Sequence, residues 1–462
     1  MQRRIFHVSR ICIYSAYRRF ILLCIAALYF FHPGTVAGQQ HLIHFEKYQL
    51  PNGLTVILHR DTTVPVVAVT VMYHVGSKNE TPGLTGFAHF FEHLMFEGST
   101  YIPRKSFEKY ITNAGGSYNA NTTQDRTFFY EVLPSNQLAL GLWLESERML
   151  HLKIDSVGVN TQREVVKEEK RLRVDNQPYG TIFIEVLKRA FSGAYHWAPI
   201  GSMEDINRAQ LGQFLDFYHT YYVPGNAILS IAGNIEMDST KKLIQAYFGS
   251  IPPAKKPIPR PDPNEPPLTH EIKDTIYDHI QLPAVIEAYR MPRETSPEYY
   301  AAQVLATVLS GGPSSRLNTI VKDQKQLAVA IASIPYFNEN AGLLINYAIA
   351  NMQVNPDSLQ RAMDEEVQKL TTQLIPEKEF EKVMNQIQTD VVTGNSTMLG
   401  IAESLADYQM FYGDANLINT QLQKYQQVTR EDVLQVARKY LRPDNRVVLY
   451  YLPESQKQAT GE

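Results

Sequence analysis

Apolar and polar positions along the chain fall into two periods. Thr55–Leu58, Val66–Met72 and Thr127–Leu133 are short runs rich in β-branched and aromatic residues and read as strands, with helical patterns in the intervals. Ala88–Glu97 has helical spacing, its apolar positions being Phe90, Phe91, Leu94 and Met95, with Phe87 just before it. Gln162–Arg173 is a charged helix-forming run whose apolar positions are Val165, Val166 and Leu172. The stretch 252–267 interrupts these patterns: its prolines exclude helix and most sheet pairing and leave a stiff, extended connector. Strands mixed with helices, without strict alternation, predict an α+β fold of mainly antiparallel sheets packed with helices.

The two sides of the connector repeat one another. Phe214, Phe217, Tyr221, Pro224 and Asn226 match Val433, Val436, Tyr440, Pro443 and Asn445 at a constant offset of 219, each set reading as helix, turn and strand. The expected organisation is therefore a leader at 1–38, a first domain at 42–251, the linker at 252–267 and a homologous second domain at 268–455.

The chemistry is concentrated in the first half. His89 and His93 are four apart on the predicted helix and share one face, so both imidazoles can reach one metal ion while Glu92 projects beside them. This H-x-x-E-H order is the inverzincin signature. Solvated surface histidines are the plain alternative, but the surrounding apolar residues place this helix in a largely buried setting, where polar groups need partners. A catalytic zinc site has three protein ligands and one open position. The charged run offers Glu164, Glu168 and Glu169 as the third ligand, and spacing alone does not choose among them.

With these motifs the chain resembles the insulinase, pitrilysin and mitochondrial processing peptidase family, in which a glutamate about 76 residues beyond the motif completes the site. The resemblance selects Glu169, 76 residues after His93, and implies one zinc ion per chain held by His89, His93 and Glu169, with Glu92 as the base acting on the metal's water. The family often has a second glutamate seven residues before the ligand; here that position is Gln162, an amide able to orient a neighbour but not to share a proton. The segment from Gly115 to Thr122 resembles the family's active-site edge strand and implies that Gly116, Ser117, Asn119 and Ala120 line an extended peptide substrate. The repeat offset carries His89, His93 and Glu169 to Val308, Gly312 and Gln388, so the second domain is expected to keep the architecture without the ligands. Where relatives grip substrate with an arginine and a tyrosine seven apart, this chain has Lys322 and Val329. The resemblance thus implies a clamshell-forming dimer, in the form of a hetero-oligomer with a homologous, metal-free partner that supplies those contacts.

Charge and leader narrow the setting. Arg3, Arg4, Arg10, Arg18 and Arg19 precede the apolar run Phe20–Phe31, and small residues follow at 35–38, which predicts an export signal and a periplasmic protein; an uncleaved membrane anchor is the alternative. Both cysteines, Cys12 and Cys24, lie in this leader, so the mature chain can form no disulfide. Of 44 basic residues five are leader arginines, against 47 acidic residues overall, and no basic patch argues for nucleic acid. The reading is a zinc-dependent endopeptidase acting on extended or unfolded peptides. The competing readings are a noncatalytic peptide-binding or scaffold subunit and a metal-dependent hydrolase of another substrate.

Overall fold

The computed structural model describes residues 42–460; the leader calls, including both cysteines, lie outside the described residues. Two sheets organise the chain. The first contains β1 (Glu46–Gln49), β2 (Thr55–Arg60), β3 (Val66–Tyr73), β4 (Ser117–Thr122), β5 (Thr127–Pro134) and β6 (Ala227–Gly233), in the order β1-β2-β6-β3-β5-β4. The second contains β7 (Ile272–Asp278), β8 (Ala284–Met291), β9 (Ala328–Phe337), β10 (Gly342–Ala350) and β11 (Arg446–Pro453), in the order β7-β11-β8-β10-β9. Apart from β1 the two orders superimpose strand for strand. In each sheet a single pair is parallel, β2 with β6 and β7 with β11, and the other pairs are antiparallel.

The helices used below are α1 (Phe87–Leu94), α2 (Ser156–Lys170), α3 (Ile182–Ala190), α4 (Leu211–Tyr221), α5 (Tyr299–Ser310), α6 (Glu377–Gly394), α7 (Met398–Tyr412) and α8 (Arg430–Tyr440). The repeat seen in the sequence is structural. The unit of α4, the turn 224–226 and β6 recurs at the same offset as α8, the turn 443–445 and β11. Likewise α5 packs on α6 as α1 packs on α2. Two homologous α+β domains result, with the counterpart of His89, Val308, buried on α5 and Gln388 on α6; Gly312 falls just beyond the end of α5.

The packing boundary departs from the chain boundary. The linker has neither helix nor strand, as its prolines dictate, but it does not separate two independent cores. From the first half, α3 contributes Val186, Leu187 and Ala190 to a cluster with Ile286, Leu343, Ile345, Val447 and Leu449 of the second sheet. From the second half, α7 packs across β2, β3 and β6 of the first sheet and buries Ile401, Ala402, Leu405 and Ala406. Shifted by 219 residues, α3 falls inside α7, so the two halves exchange equivalent helices. Each sheet is thereby covered on both faces, which explains why β3 and β8 are buried along nearly their whole length instead of at alternate positions. Periodicity shows that a helix has an apolar stripe; it does not show which sheet that stripe will cover.

Polar contacts fasten the halves further. Arg260 of the linker donates to the His74 carbonyl at 2.7 Å, and Glu265 accepts from Ser192 N–H at 2.7 Å and Gly193 N–H at 2.9 Å. The turn between β9 and β10 inserts Glu339 into the first domain. There its carboxylate accepts from His74 Nε2 at 2.6 Å and pairs with Lys78, while its backbone N–H donates to Asp125 at 3.0 Å. Burial alone would raise the pKa of Glu339, but the His74 bond and the Lys78 charge prevail and hold it at about 2.

Two outcomes follow for stability. Leu405→Ala should lower the unfolding free energy by about 2–5 kcal/mol, read by denaturant titration, because it opens a cavity in a fully buried layer. Glu339→Gln should cost about 1.5–3 kcal/mol near neutrality. Since the folded value of Glu339 lies below the ordinary 4.5, this contribution is complete above that pH and disappears as the pH falls toward 2. The melting-temperature gap between wild type and Glu339→Gln should therefore close on acidification.

Candidate metal centre

The site begins with the aromatic face of α1. Phe87, Phe90, Phe91 and Leu94 are buried, and their rings pack on α4 and the residue after it: Phe87 stacks on Phe214 at 4.6 Å, Phe91 stacks on Phe217 at 5.6 Å, and Phe91 lies 5.1 Å from Tyr222. With that stripe fixed, the 3.6-residue period turns His89, Glu92 and His93 the other way. The start of the helix is held by Glu80, whose buried carboxylate accepts from Gly86 N–H and Ala88 N–H, both at 2.8 Å. These bonds satisfy donors that a helix start leaves open. Burial pushes the Glu80 carboxyl well above its ordinary range despite these bonds.

The third member comes from α2. Asp155 caps this helix by accepting from Gly158 N–H at 2.9 Å, and Arg163 pins it by donating to the carbonyls of Ile206 at 3.0 Å and Ala209 at 2.7 Å. Val159 and Val166 are its buried apolar anchors. That orientation points Glu164 and Glu168 to solvent, where they pair with Lys167 and Arg171, and points Glu169 at the histidines.

His93 Nε2 lies 3.0 Å from Glu169 Oε2, His89 Nε2 lies 3.5 Å from the same oxygen, and the two Nε2 atoms are 3.3 Å apart. The imidazole planes are nearly perpendicular, at 88°. A tetrahedral zinc site with bonds of about 2.0–2.1 Å has ligand atoms about 3.3–3.4 Å apart, so this triangle fits one ion. Burial first, then the neighbouring His93, lowers the His89 pKa to about 4, which keeps its imidazole neutral as a ligand must be. Glu169 is lowered to about 2, chiefly by its hydrogen bond with His93, and so stays ionised. Two imidazoles and a carboxylate facing one another at these distances suit a divalent cation among them. Among the described residues this is the one cluster of three histidine, cysteine or acidic side chains close enough for that purpose.

Glu92 stands beside the triangle and outside it. Its Oε2 accepts a 2.6 Å bond from Thr122 Oγ1, and burial raises its pKa against that bond and the nearby His93. Thr122 ends β4, the outermost strand of the first sheet, which pairs on one side with β5. Ser117 and Asn119 are exposed on this strand, Ala120 is half-buried, and Asn119 Oδ1 already accepts from Ala120 N–H at 2.9 Å. Gly116 precedes the strand, and a Cβ there would meet Leu133 at 2.4 Å, so its lack of a side chain serves packing onto β5.

Gln162 makes its hydrogen bond to the segment following α1. Its Nε2 donates to Glu97 Oε1 at 2.7 Å, and Glu97 also accepts from Arg104 at 2.9 Å, so Gln162 ties α2 to the segment following α1. Lys322 sits in the helical segment after α5, and Val329 is exposed on β9, the edge of the second sheet. Sequence reasoning missed Thr122, Glu80 and Arg173, the last of which pairs with Glu169 Oε1 at 2.9 Å. Arg173, four residues after Glu169 on one helical face, was readable; the other two depend on folding.

Comparisons with known proteins identify the family. The model described as insulinase, peptidase family M16, matches residues 55–196, and the one described as peptidase M16 inactive domain matches residues 208–387. The chain belongs to the insulinase family, peptidase family M16. The zinc protease PqqE of Helicobacter pylori is 28% identical over 420 residues, spanning 90% of this chain and 94% of that protein. The uncharacterized zinc protease YmxG of Bacillus subtilis is 26% identical over 347 residues, 74% of this chain and 82% of the relative. Among solved structures, a protease from Helicobacter pylori superimposes with a TM-score of 0.86 at 28% identity, covering 89% of this chain and all of that one. The periplasmic protease PqqL from Escherichia coli shares the fold, with a TM-score of 0.70 at 18% identity, over 88% of this chain and 47% of that one. The M16 chain studied here thus has relatives named as zinc proteases over nearly its whole described length.

Glu169→Ala should weaken zinc binding by more than the 10–100-fold typical of losing an outer partner of a ligand. Glu164→Ala and Glu168→Ala should leave it unchanged, as measured by competitive chelator titration of the purified protein.

Proposed function

We propose that this M16 chain is a zinc-dependent endopeptidase that hydrolyses extended or unfolded peptides, with His89, His93 and Glu169 as ligands and Glu92 as the catalytic base. The observation that carries this reading is the 3.0–3.5 Å triangle of ligand atoms with a buried carboxylate at its side. When bound, zinc supplies a Lewis acid that polarises a carbonyl and makes water acidic enough to attack near neutral pH. Glu92 accepts the proton of the attacking water and delivers it to the leaving amine nitrogen. Burial raises the Glu92 pKa, which makes its carboxylate a stronger base toward the water proton. Thr122 fixes which Glu92 oxygen is free, since its hydroxyl bonds to Oε2. The outer edge of β4, with Ser117, Asn119 and Ala120, aligns the peptide through its main chain and so tolerates varied sequences.

The setting belongs to the same proposal. The basic and apolar leader exports the chain to the periplasm, where the substrates are envelope peptides; retention of the leader as an anchor is the alternative address. No helix among the described residues is long and apolar enough to cross a membrane. The chain works as a dimer, preferably with a homologous metal-free partner, a reading supported by Lys322 and Val329 standing where relatives carry an arginine and a tyrosine.

With a quenched-peptide library and metal analysis, Glu92→Gln should retain zinc and lose at least about a hundredfold in turnover. His93→Ala should lose both metal and turnover. A fully active Glu92→Gln protein, or cleavage that persists after chelation, would overturn the reading.

A further inference from the structure

Where α7 crosses from the second half to the first, it helps enclose a cavity that takes no part in the chemistry above. Its volume is about 300 Å³, at the small end of ligand pockets. Arg126 reaches it from the turn between β4 and β5, Glu294 from the segment after β8, Asn338 from just beyond β9 and Asp407 from α7. Five rings, Tyr299, Phe337, Tyr408, Phe411 and Tyr412, make much of the remaining wall. Their hydroxyls are already engaged: Tyr299 accepts from Gln303, Tyr408 donates to Gln421, and Tyr412 donates to the Glu294 carbonyl at 3.0 Å. The rings are therefore left to present carbon.

The polar groups on this wall are incompletely satisfied, and they are of both kinds. Asp125 is fully engaged, by Lys78 at 2.7 Å, the Tyr195 hydroxyl at 2.7 Å and the Glu339 N–H at 3.0 Å. Glu294 is not, for its Oε1 is sealed from solvent and has no hydrogen-bond partner. Burial first, then Asp125, Asp407 and Glu339, push its carboxyl well above the ordinary range, with Lys78 opposing them. Arg126 directs Nη2 to Glu403 at 2.7 Å and Nε to Asp407 at 3.2 Å, yet its buried Nη1 bonds nothing. Asn338 is only 4% exposed, and its Nδ2 also lacks a partner.

Buried polar groups without partners are costly, so one open acceptor and two open donors in a single cavity call for a ligand that carries both kinds of group. Water meets that need at the polar positions but finds no partners on the rings. A compact cation matches less well, since among the described residues no third histidine, cysteine or acidic side chain joins Glu294 and Asp407 closely enough to hold a metal ion. We propose that this cavity binds one free α-amino acid with an apolar side chain, its ammonium at Glu294, its carboxylate at Arg126 and Asn338, and its side chain against the rings. Charge-assisted bonds at both ends select the zwitterion, and the aromatic wall selects hydrocarbon. The mouth lies along α7, where the side chains of Glu403 and Asp407 stay 33% and 31% exposed. A bound amino acid links the β4–β5 turn to the second half and stabilises the folded chain by mass action. The site stands apart from the metal centre and does not depend on the peptidase reading.

The test is calorimetric titration and thermal melting of the purified zinc-loaded chain with L-leucine, N-acetyl-leucine, leucinamide, L-serine and trileucine, repeated on Glu294→Gln and Asn338→Ala. The expected result is saturable leucine binding that raises the melting temperature. Blocking either charged end, as in N-acetyl-leucine and leucinamide, should weaken binding about tenfold or more, and serine should bind more weakly than leucine. Glu294→Gln should lose about tenfold toward leucine while binding N-acetyl-leucine as wild type does. Asn338→Ala, which decides the matter if Glu294→Gln does not fold, should weaken leucine and leave leucinamide unchanged. A folded wild type without saturable leucine binding holds water alone in the cavity and overturns the proposal. Equal affinity for leucine and both blocked forms overturns it as well. Leucine binding that is unchanged in every variant that folds places the ligand elsewhere, and trileucine binding more tightly than leucine assigns the cavity to a peptide; either result overturns the site as a receptor for the free amino acid.

Discussion

The ring stack between α1 and α4 is the contact on which the centre depends. Two histidines four apart can point anywhere around a helix, and their direction here is set by what lies behind them: Phe87, Phe90 and Phe91 interleaved with Phe214, Phe217 and Tyr222. Aromatic contacts of this geometry combine large burial with preferred ring orientations, so they fix both the rotation and the depth of the helix. Glu80 adds the axial constraint by holding the amide groups at the helix start. The imidazoles therefore meet Glu169 because of forces exerted on the opposite side of α1, and the polar face is free to be arranged for chemistry.

The second constraint is the reciprocal coverage of the sheets. Each domain takes the outer layer of its core from the other half of the chain, through α3 in one direction and α7 in the other. The linker and the Glu339 turn then add polar fastenings at the same boundary. Moving one domain against the other within this chain would strip an apolar layer from both.

Much of this was readable beforehand, for a physical reason in each case. The strands around Val56, Val69 and Phe129 were visible because β-branched and aromatic runs bounded by turn residues have few other folds. The histidine helix was visible because metal chemistry imposes a spacing. The duplication was visible because the helix, turn and strand around Phe214 and Val433 retain the same apolar positions. What could not be read depended on contacts distant in sequence. Glu164, Glu168 and Glu169 are equivalent by composition, and the family resemblance chose among them before the orientation of α2 did so in space. Thr122 and Glu80 act through partners 30 and 6 to 8 residues away, at distances only the folded chain reveals. Gln162, placed beside the ligands by the family resemblance, makes its hydrogen bond to Glu97, a partner that spacing does not reveal.

The exchange of α3 and α7 has a consequence for heredity. A half that has given up its ligands would ordinarily be free to decay, since nothing it holds takes part in bond breaking. Here its loss would uncover the sheet that supports the histidine helix, and damage to Leu405 or Ala402 would be felt in the other half. Selection acting on the half that carries the histidines thus also protects its partner, because the two share interior surface.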